Sequence, residues 1–268
     1  MTLPKRDWME MTWQDFAGAD TELWIAVLPL AAVEQHGLHL PLGVDTFLAE
    51  AYLAKARSLI PADLPVTFLP TQAIGHSIEH ESFPGTLTIS AQTAIGAWIE
   101  IGESVRRAGL RKLLLMSSHG GNSQAMELVA QELRTRNMLV VTCGWHRFGY
   151  PEKLFSADEQ KHGIHGGAIE TSLMRAARPE TVRMDQAETN VPLSVTLAKE
   201  FHWLNTSRPA GLGWMAQDLH ASGTAGNAQT ATAEKGAAAL EHGARAFVEL
   251  LTEMHRFNLA MLRHGPLG

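Results

Sequence analysis

Short apolar runs alternating with stretches of helical period constrain this chain more than any other feature. Residues 23–30 (Leu-Trp-Ile-Ala-Val-Leu-Pro-Leu), 66–69 (Val-Thr-Phe-Leu), 112–116 (Lys-Leu-Leu-Leu-Met) and 138–142 (Met-Leu-Val-Val-Thr) read as buried strands. Between them, Phe47, Leu48, Ala51, Tyr52 and Leu59 mark a helix over residues 46–60. Ile95, Trp98, Ile99, Gly102 and Val105 mark another over 90–108, and Met126, Val129, Ala130 and Leu133 a third over 123–135. Strand and helix in alternation predict a mainly parallel central sheet covered on both faces, a three-layer α/β/α fold. Such a sheet carries its functional site at the carboxyl ends of its strands.

No linker, repeat or low-complexity tract divides the 268 residues, so residues 1–268 read as one α/β domain with a sizeable core. The Gly- and Ala-rich residues 221–228 read as a loop leading into a C-terminal helix over 231–251. A net charge of −6 argues against nucleic acid or an anionic membrane as partner. The single cysteine, Cys143, excludes an internal disulfide and fits a reducing cytoplasm. The first eight residues lack the apolar core of a signal peptide, and the strongest apolar run, 23–33, is too short to span a bilayer.

Chemistry gathers just after the predicted strands. Glu34-Gln35-His36-Gly37 follows the first, with Asp45 opening the next helix. In extended chain, residues i and i+2 face the same way, so Glu34 and His36 reach into one space. Carboxylate and imidazole without thiolate form the ligand set of a hydrolytic Zn or Mn site. Gly75-His76-Ser77-Ile78-Glu79-His80 follows the second strand, and His119-Gly120-Gly121-Asn122 the third, with Asn122 placed to cap the next helix. His165-Gly166-Gly167 opens a helix to about residue 177, with Glu170 in its first turns, where the helix dipole favours a carboxylate. The bland alternative for each is a solvated or hydrogen-bonded loop residue. It is favoured for Glu79 and His80, as ties of the Phe83-Pro84-Gly85-Thr86 loop, and His39 is expected to face solvent or to support a ligand. Trp98 reads as core, Thr232 as the start of a helix, and Trp203 and Trp214 as pocket or interface residues.

These stretches, in this order and with Ala231-Thr232-Ala233-Glu234-Lys235-Gly236, resemble the creatininase (creatinine amidohydrolase) family. The resemblance runs from about residue 12 to residue 250. It implies two divalent metal ions per chain (Zn or Mn, with Fe possible), a homo-oligomer, often a hexamer, and hydrolysis of amide C–N bonds. Carried over residue by residue, it implies that Glu34 and His119 hold one metal, His36 and a further carboxylate the other, and that Asp45 bridges. Creatinine-hydrolysing members carry that carboxylate as a Glu two residues after the motif histidine, where this chain has Gly121. Glu170 is the candidate to replace it. His165 matches the family's catalytic histidine and is assigned as proton shuttle and not as ligand.

A charge count agrees with this set. Glu34, Asp45 and Glu170 balance three of the four positive charges of two divalent ions, leaving one for a hydroxide. Ser77, Glu79, His80, Trp145 and Lys161 are candidate substrate contacts. Trp145 matches a pocket tryptophan of creatinine hydrolases, whereas Lys161 stands where those enzymes place a tryptophan over the substrate ring. The small-molecule substrate expected is therefore a cyclic amide other than creatinine. A formamide deformylase, a peptide-trimming enzyme and a non-catalytic metal-binding scaffold are the alternatives.

Overall fold

Each of the four apolar runs forms a strand in the computed structural model, which describes residues 3–263, 265 and 266. They are β1 (Ile25–Leu30), β2 (Val66–Phe68), β3 (Lys112–Ser117) and β4 (Leu139–Gly144). All pairings are parallel, in the order β2-β1-β3-β4. Leu30 of β1 pairs with Ser117 of β3, which pairs with Gly144 of β4, so these strands end level at one edge. From β1 the chain crosses to β2 on one side and returns to β3 on the other. The crevice at this reversal lies at the carboxyl ends of β1 and β3, where ligands bind in open parallel sheets.

The helices longer than one turn are α1 (Val44–Arg57), α2 (Ala91–Arg107), α3 (Ser123–Arg134), α4 (Ala157–His162), α5 (Ala168–Ala177), α6 (Leu193–Glu200) and α7 (Ala233–Arg256). Strand parity sorts them into layers. Ile25, Val27, Leu114 and Met116 pack with Leu48, Tyr52, Ile169, Leu173, Phe247 and Leu251, from α1, α5 and α7. The alternate residues Ala26, Leu28, Leu113 and Leu115 pack with Trp98, Val105, Val129 and Leu133, from α2 and α3. Both sheet faces are therefore dry, which is why the strands read as unbroken apolar runs. Each large side chain so buried contributes about 1.5–3 kcal/mol.

Lys112 opens β3 and is buried. Its ammonium donates to the carbonyls of Met254 (2.7 Å), His255 (2.8 Å) and Phe257 (3.1 Å), closing the C-terminal end of α7 over the sheet. Residues 221–228 are more ordered than a loop. Gly226–Asn227 pairs antiparallel with Thr189–Asn190, and Ala225 bridges His165. Alternating apolar periodicity could not reveal pairings two residues long. Among the described residues, no helix is long and apolar enough to cross a membrane.

Candidate metal centre

The crevice collects Glu34 and His36 from the segment after β1, His119 from the turn after β3, and Asp45 and Glu170 from the first turns of α1 and α5. Their ligand atoms form overlapping groups, each within 4.8 Å: Glu34 with Asp45 and His119, His36 with Asp45 and Glu170, and Glu34 with His36 and His165. Both carboxylate oxygens of Glu34, Nε2 of His36 and Oδ2 of Asp45 are buried without a hydrogen-bond partner. Unpaired buried acceptors of this kind carry a heavy desolvation cost unless a cation meets them. The donor set is hard oxygen and imidazole nitrogen, the chemistry of Zn or Mn. The residues fit divalent metal.

Hydrogen bonds at the far side of each ring set the tautomers. His36 Nδ1 donates to the Glu34 carbonyl (3.0 Å), so Nε2 offers its lone pair to the crevice, 3.7 Å from Asp45 Oδ2 and 3.8 Å from Glu170 Oε2. His119 Nε2 donates to the His76 carbonyl (3.0 Å) and lies 3.4 Å from Glu79 Oε1, which turns Nδ1 to Glu34 Oε1 at 3.2 Å. His165 Nε2 donates to the Gln35 carbonyl (2.6 Å), leaving Nδ1 3.7 Å from the same Glu34 oxygen. Gln35 Nε2 donates to His80 Nδ1 (2.9 Å) and to the Gly223 carbonyl (2.7 Å), so His80 presents Nε2–H to Glu34 Oε1 at 3.4 Å.

The electrostatics are those of a site built around positive charge. Burial alone would raise the Glu34 carboxyl, but His119, then His80 and His165, hold it well below the usual carboxylate range. Burial, then the charge of Glu34, pushes Asp45 well above that range, and burial also raises Glu170, with Glu34 adding to it. His119 is held up against its burial by Glu34 and Glu79. Burial and neighbouring His165 depress His36.

His80 yields a prediction for the metal-free chain. Burial, then His165, lowers it from 6.5 to about 3. Within that window the unfolded chain binds a proton that folded His80 refuses. Stability therefore falls as the pH drops below about 6.5, by up to about 1.4 kcal/mol per pH unit from this ring. After chelation, urea unfolding at pH 7, 6 and 5 should show a shallower acid limb for His80→Gln than for the unaltered chain. Parallel limbs would contradict the assignment.

A family model described as creatinine amidohydrolase (creatininase) matches residues 9–251. The chain belongs to the creatininase family. It is 30% identical over 257 residues to creatinine amidohydrolase of Pseudomonas putida, covering 87% of this chain and 90% of that one. It is 31% identical over 218 residues to the mycofactocin precursor peptide peptidase of Mycobacterium tuberculosis (strain ATCC 25618 / H37Rv), covering 78% and 77% respectively. A solved manganese creatininase superposes with a TM-score of 0.74 at 25% identity, covering 94% of this chain and all of that one.

As a creatininase-family hydrolase of C–N bonds, the chain departs at Gly121 from the creatinine-hydrolysing pattern. A Cβ there would lie 2.4 Å from Glu79 Oε1, 2.4 Å from His119 Nε2 and 2.8 Å from the His76 carbonyl. Glu79 occupies the room a side chain at 121 would need, and the carboxylates that face His36 are those of Asp45 and Glu170. Ser77 is buried, with Oγ 3.4 Å from His119 Nε2, so it and Glu79 hold the far side of the His119 ring.

The remaining candidates are placed by their contacts. Trp145 is a core residue: its ring stacks on Tyr52 (4.3 Å between centroids) and packs on Phe247. Lys161 is exposed on α4, the solvent-facing alternative. Asn122 makes no side-chain cap. Its amide donates to the Ala31 carbonyl and Ser117 Oγ and accepts from His76 N–H, tying together the three segments that follow β1, β2 and β3. His39 is buried and hydrogen-bonded to Thr171 Oγ1 (3.0 Å), so it supports the helix of Glu170 and does not face solvent. Trp203 is exposed, and Trp214 donates to the Thr206 carbonyl. The residue missed outright among those touching the site is Gln35, whose only signal was its position between Glu34 and His36.

Proposed function

We propose that residues 1–268 act as one amidohydrolase domain that cleaves a C–N bond of a small amide. Two divalent cations, Zn or Mn with Fe admitted, are held by Glu34, His36, Asp45, His119 and Glu170. The single observation carrying this reading is the set of buried, unpartnered acceptor atoms on Glu34, His36 and Asp45. When bound, the cations supply polarisation of the amide carbonyl and acidification of a water. The chain's own part is to orient and to move a proton. Gln35 fixes His165 with Nε2 occupied by its carbonyl, so Nδ1 takes the proton lost by the attacking water. The same Nδ1 returns that proton to the amide nitrogen as the C–N bond breaks, since an amide anion leaves poorly.

The substrate class in this reading is a cyclic amide, with creatinine itself disfavoured by Gly121 and Lys161. A second reading, hydrolysis of a formamide or trimming of a peptide, is favoured by the same Gly121, together with the named activity of the mycofactocin relative. A homo-oligomer, a hexamer by family resemblance, belongs to the proposal. A cytoplasmic location is supported by the single cysteine. The test is elemental analysis of purified protein, followed by an amide panel of lactams, imides, formamides and short peptides. Two equivalents of metal per chain are expected, with turnover lost on chelation and restored by Zn or Mn. Less than about half an equivalent after metal supplementation would sink the two-metal mechanism. Metal binding with no turnover across the panel would leave the scaffold alternative standing.

A further inference from the structure

We infer that Glu159 is a positioning residue for this hydrolysis, its carboxylate clamping the segment that carries His165 and Glu170. The inference rests on the roles proposed above for those two residues. Glu159 sits on α4, outside every group of ligand atoms in the crevice, and is buried. Its Oε1 accepts the backbone N–H of Ala168, the first residue of α5, at 2.5 Å. Its Oε2 accepts the N–H of Asn227 at 2.9 Å. These donors belong to two different segments, which also meet in the His165–Ala225 bridge, where Ala225 N–H donates to the His165 carbonyl at 2.7 Å. One side chain therefore fastens both sides of the bridge on which His165 stands.

The surroundings leave that carboxylate one place to be. A Cβ on Gly163, Gly167 or Gly226 would come within 2.3, 2.3 and 2.9 Å of it. Glu170 is tied to the same clamped segment, because Gly166 N–H donates to Glu170 Oε2 at 2.6 Å. Loosening residues 163–168 thus frees the proton shuttle and a ligand together. Charge state also matters. Two N–H donors on two separate oxygens need a carboxylate, whereas a glutamine accepts one and turns its own N–H toward the other. Glu159 borders a cavity of about 310 Å³, lined also by Phe155, Ser156, Asn227 and Lys235. A shortened side chain would open this space to a small carboxylate from solution.

The test compares the unaltered chain with Glu159→Gln and Glu159→Ala. Amide hydrogen exchange on the metal-free full chain should accelerate at least ~10-fold at residues 163–170 and 225–227 in Glu159→Gln, with β1 and β3 unchanged. In the metal-loaded enzyme, kcat should fall about 10–100-fold with KM within about threefold, and formate or acetate should restore part of the loss in Glu159→Ala, with saturation. Unchanged exchange at those segments, equal acceleration in β1 and β3, or a kcat for Glu159→Gln within about twofold of the unaltered chain would each overturn the inference. If the unaltered chain binds no metal pair or turns over no amide, the functional reading fails. The exchange measurement then still decides the clamp.

Discussion

Glu34→Gln is expected to lower kcat for amide hydrolysis by about 10³-fold or more, the equivalent of about 4 kcal/mol of transition-state stabilisation. Three imidazoles converge on one oxygen of this carboxylate: His119 at 3.2 Å, His80 at 3.4 Å and His165 at 3.7 Å. Both its oxygens are buried and otherwise unpartnered. The substitution keeps the volume and removes the charge. It also sets an N–H₂ group against either His80 Nε2–H or the ligand atom of His119. One metal equivalent should be lost, because His119 and Asp45 alone give a poor site, while His36, Asp45 and Glu170 keep the other. Elemental analysis and steady-state kinetics on one preparation check this. Two retained equivalents with kcat within tenfold of the unaltered enzyme would remove Glu34 from the ligand set.

The second large effect lies in the packing that carries the site. Gly236→Ala is expected to destabilise the fold by about 3 kcal/mol or more. A Cβ at this position of α7 would stand 1.8 Å from the carbonyl oxygen of Ser172 and 2.4 Å from its carbon. Both are backbone atoms of α5, so no rotamer change relieves the clash and one helix must move. Gly96→Ala on α2 is the control: nothing lies within 4 Å of the added methyl, and removing a helical glycine should stabilise by up to about 1 kcal/mol. Because α5 bears Glu170 in its first turn, any folded Gly236→Ala protein should also lose metal affinity. Urea unfolding of both variants measures the difference. Equal midpoints for the two would show that the α5–α7 contact yields easily.

Much of the fold was legible because its signals are local. The strands are buried on both faces and therefore appear as unbroken apolar runs, and α2 and α3 carry one apolar stripe each. Boundaries moved by a few residues where caps or turns decided them. Residues 21–23 form a 3₁₀ turn ahead of β1, and Ser90 caps α2 by accepting the N–H of Thr93. The ligand candidates were legible for a different reason: a carboxylate or imidazole set just past a buried strand has few other reasons to be there.

Trp145 and Asn122 were misread because residue type leaves several roles open. An indole beside a strand end suits a pocket or a core, and only its stack on Tyr52 chose the core. An asparagine before a helix suits a cap, but three strand-end segments converge on Asn122 and take its hydrogen bonds. Glu159 gave no signal at all, since its partners are backbone N–H groups that look alike in every sequence.

By itself, the sequence determined the layered parallel sheet and the kinds of atom that would meet at its edge, since periodicity and residue chemistry are properties of short segments. Only the tertiary structure decided that Glu170 stands beside Asp45 next to His36, with no room for a side chain at position 121. Position 121 is closed by Glu79 and the His76 carbonyl, while the first turn of α5 brings Glu170 to 3.8 Å. That choice depends on how distant segments pack, and packing distances are not encoded in local spacing.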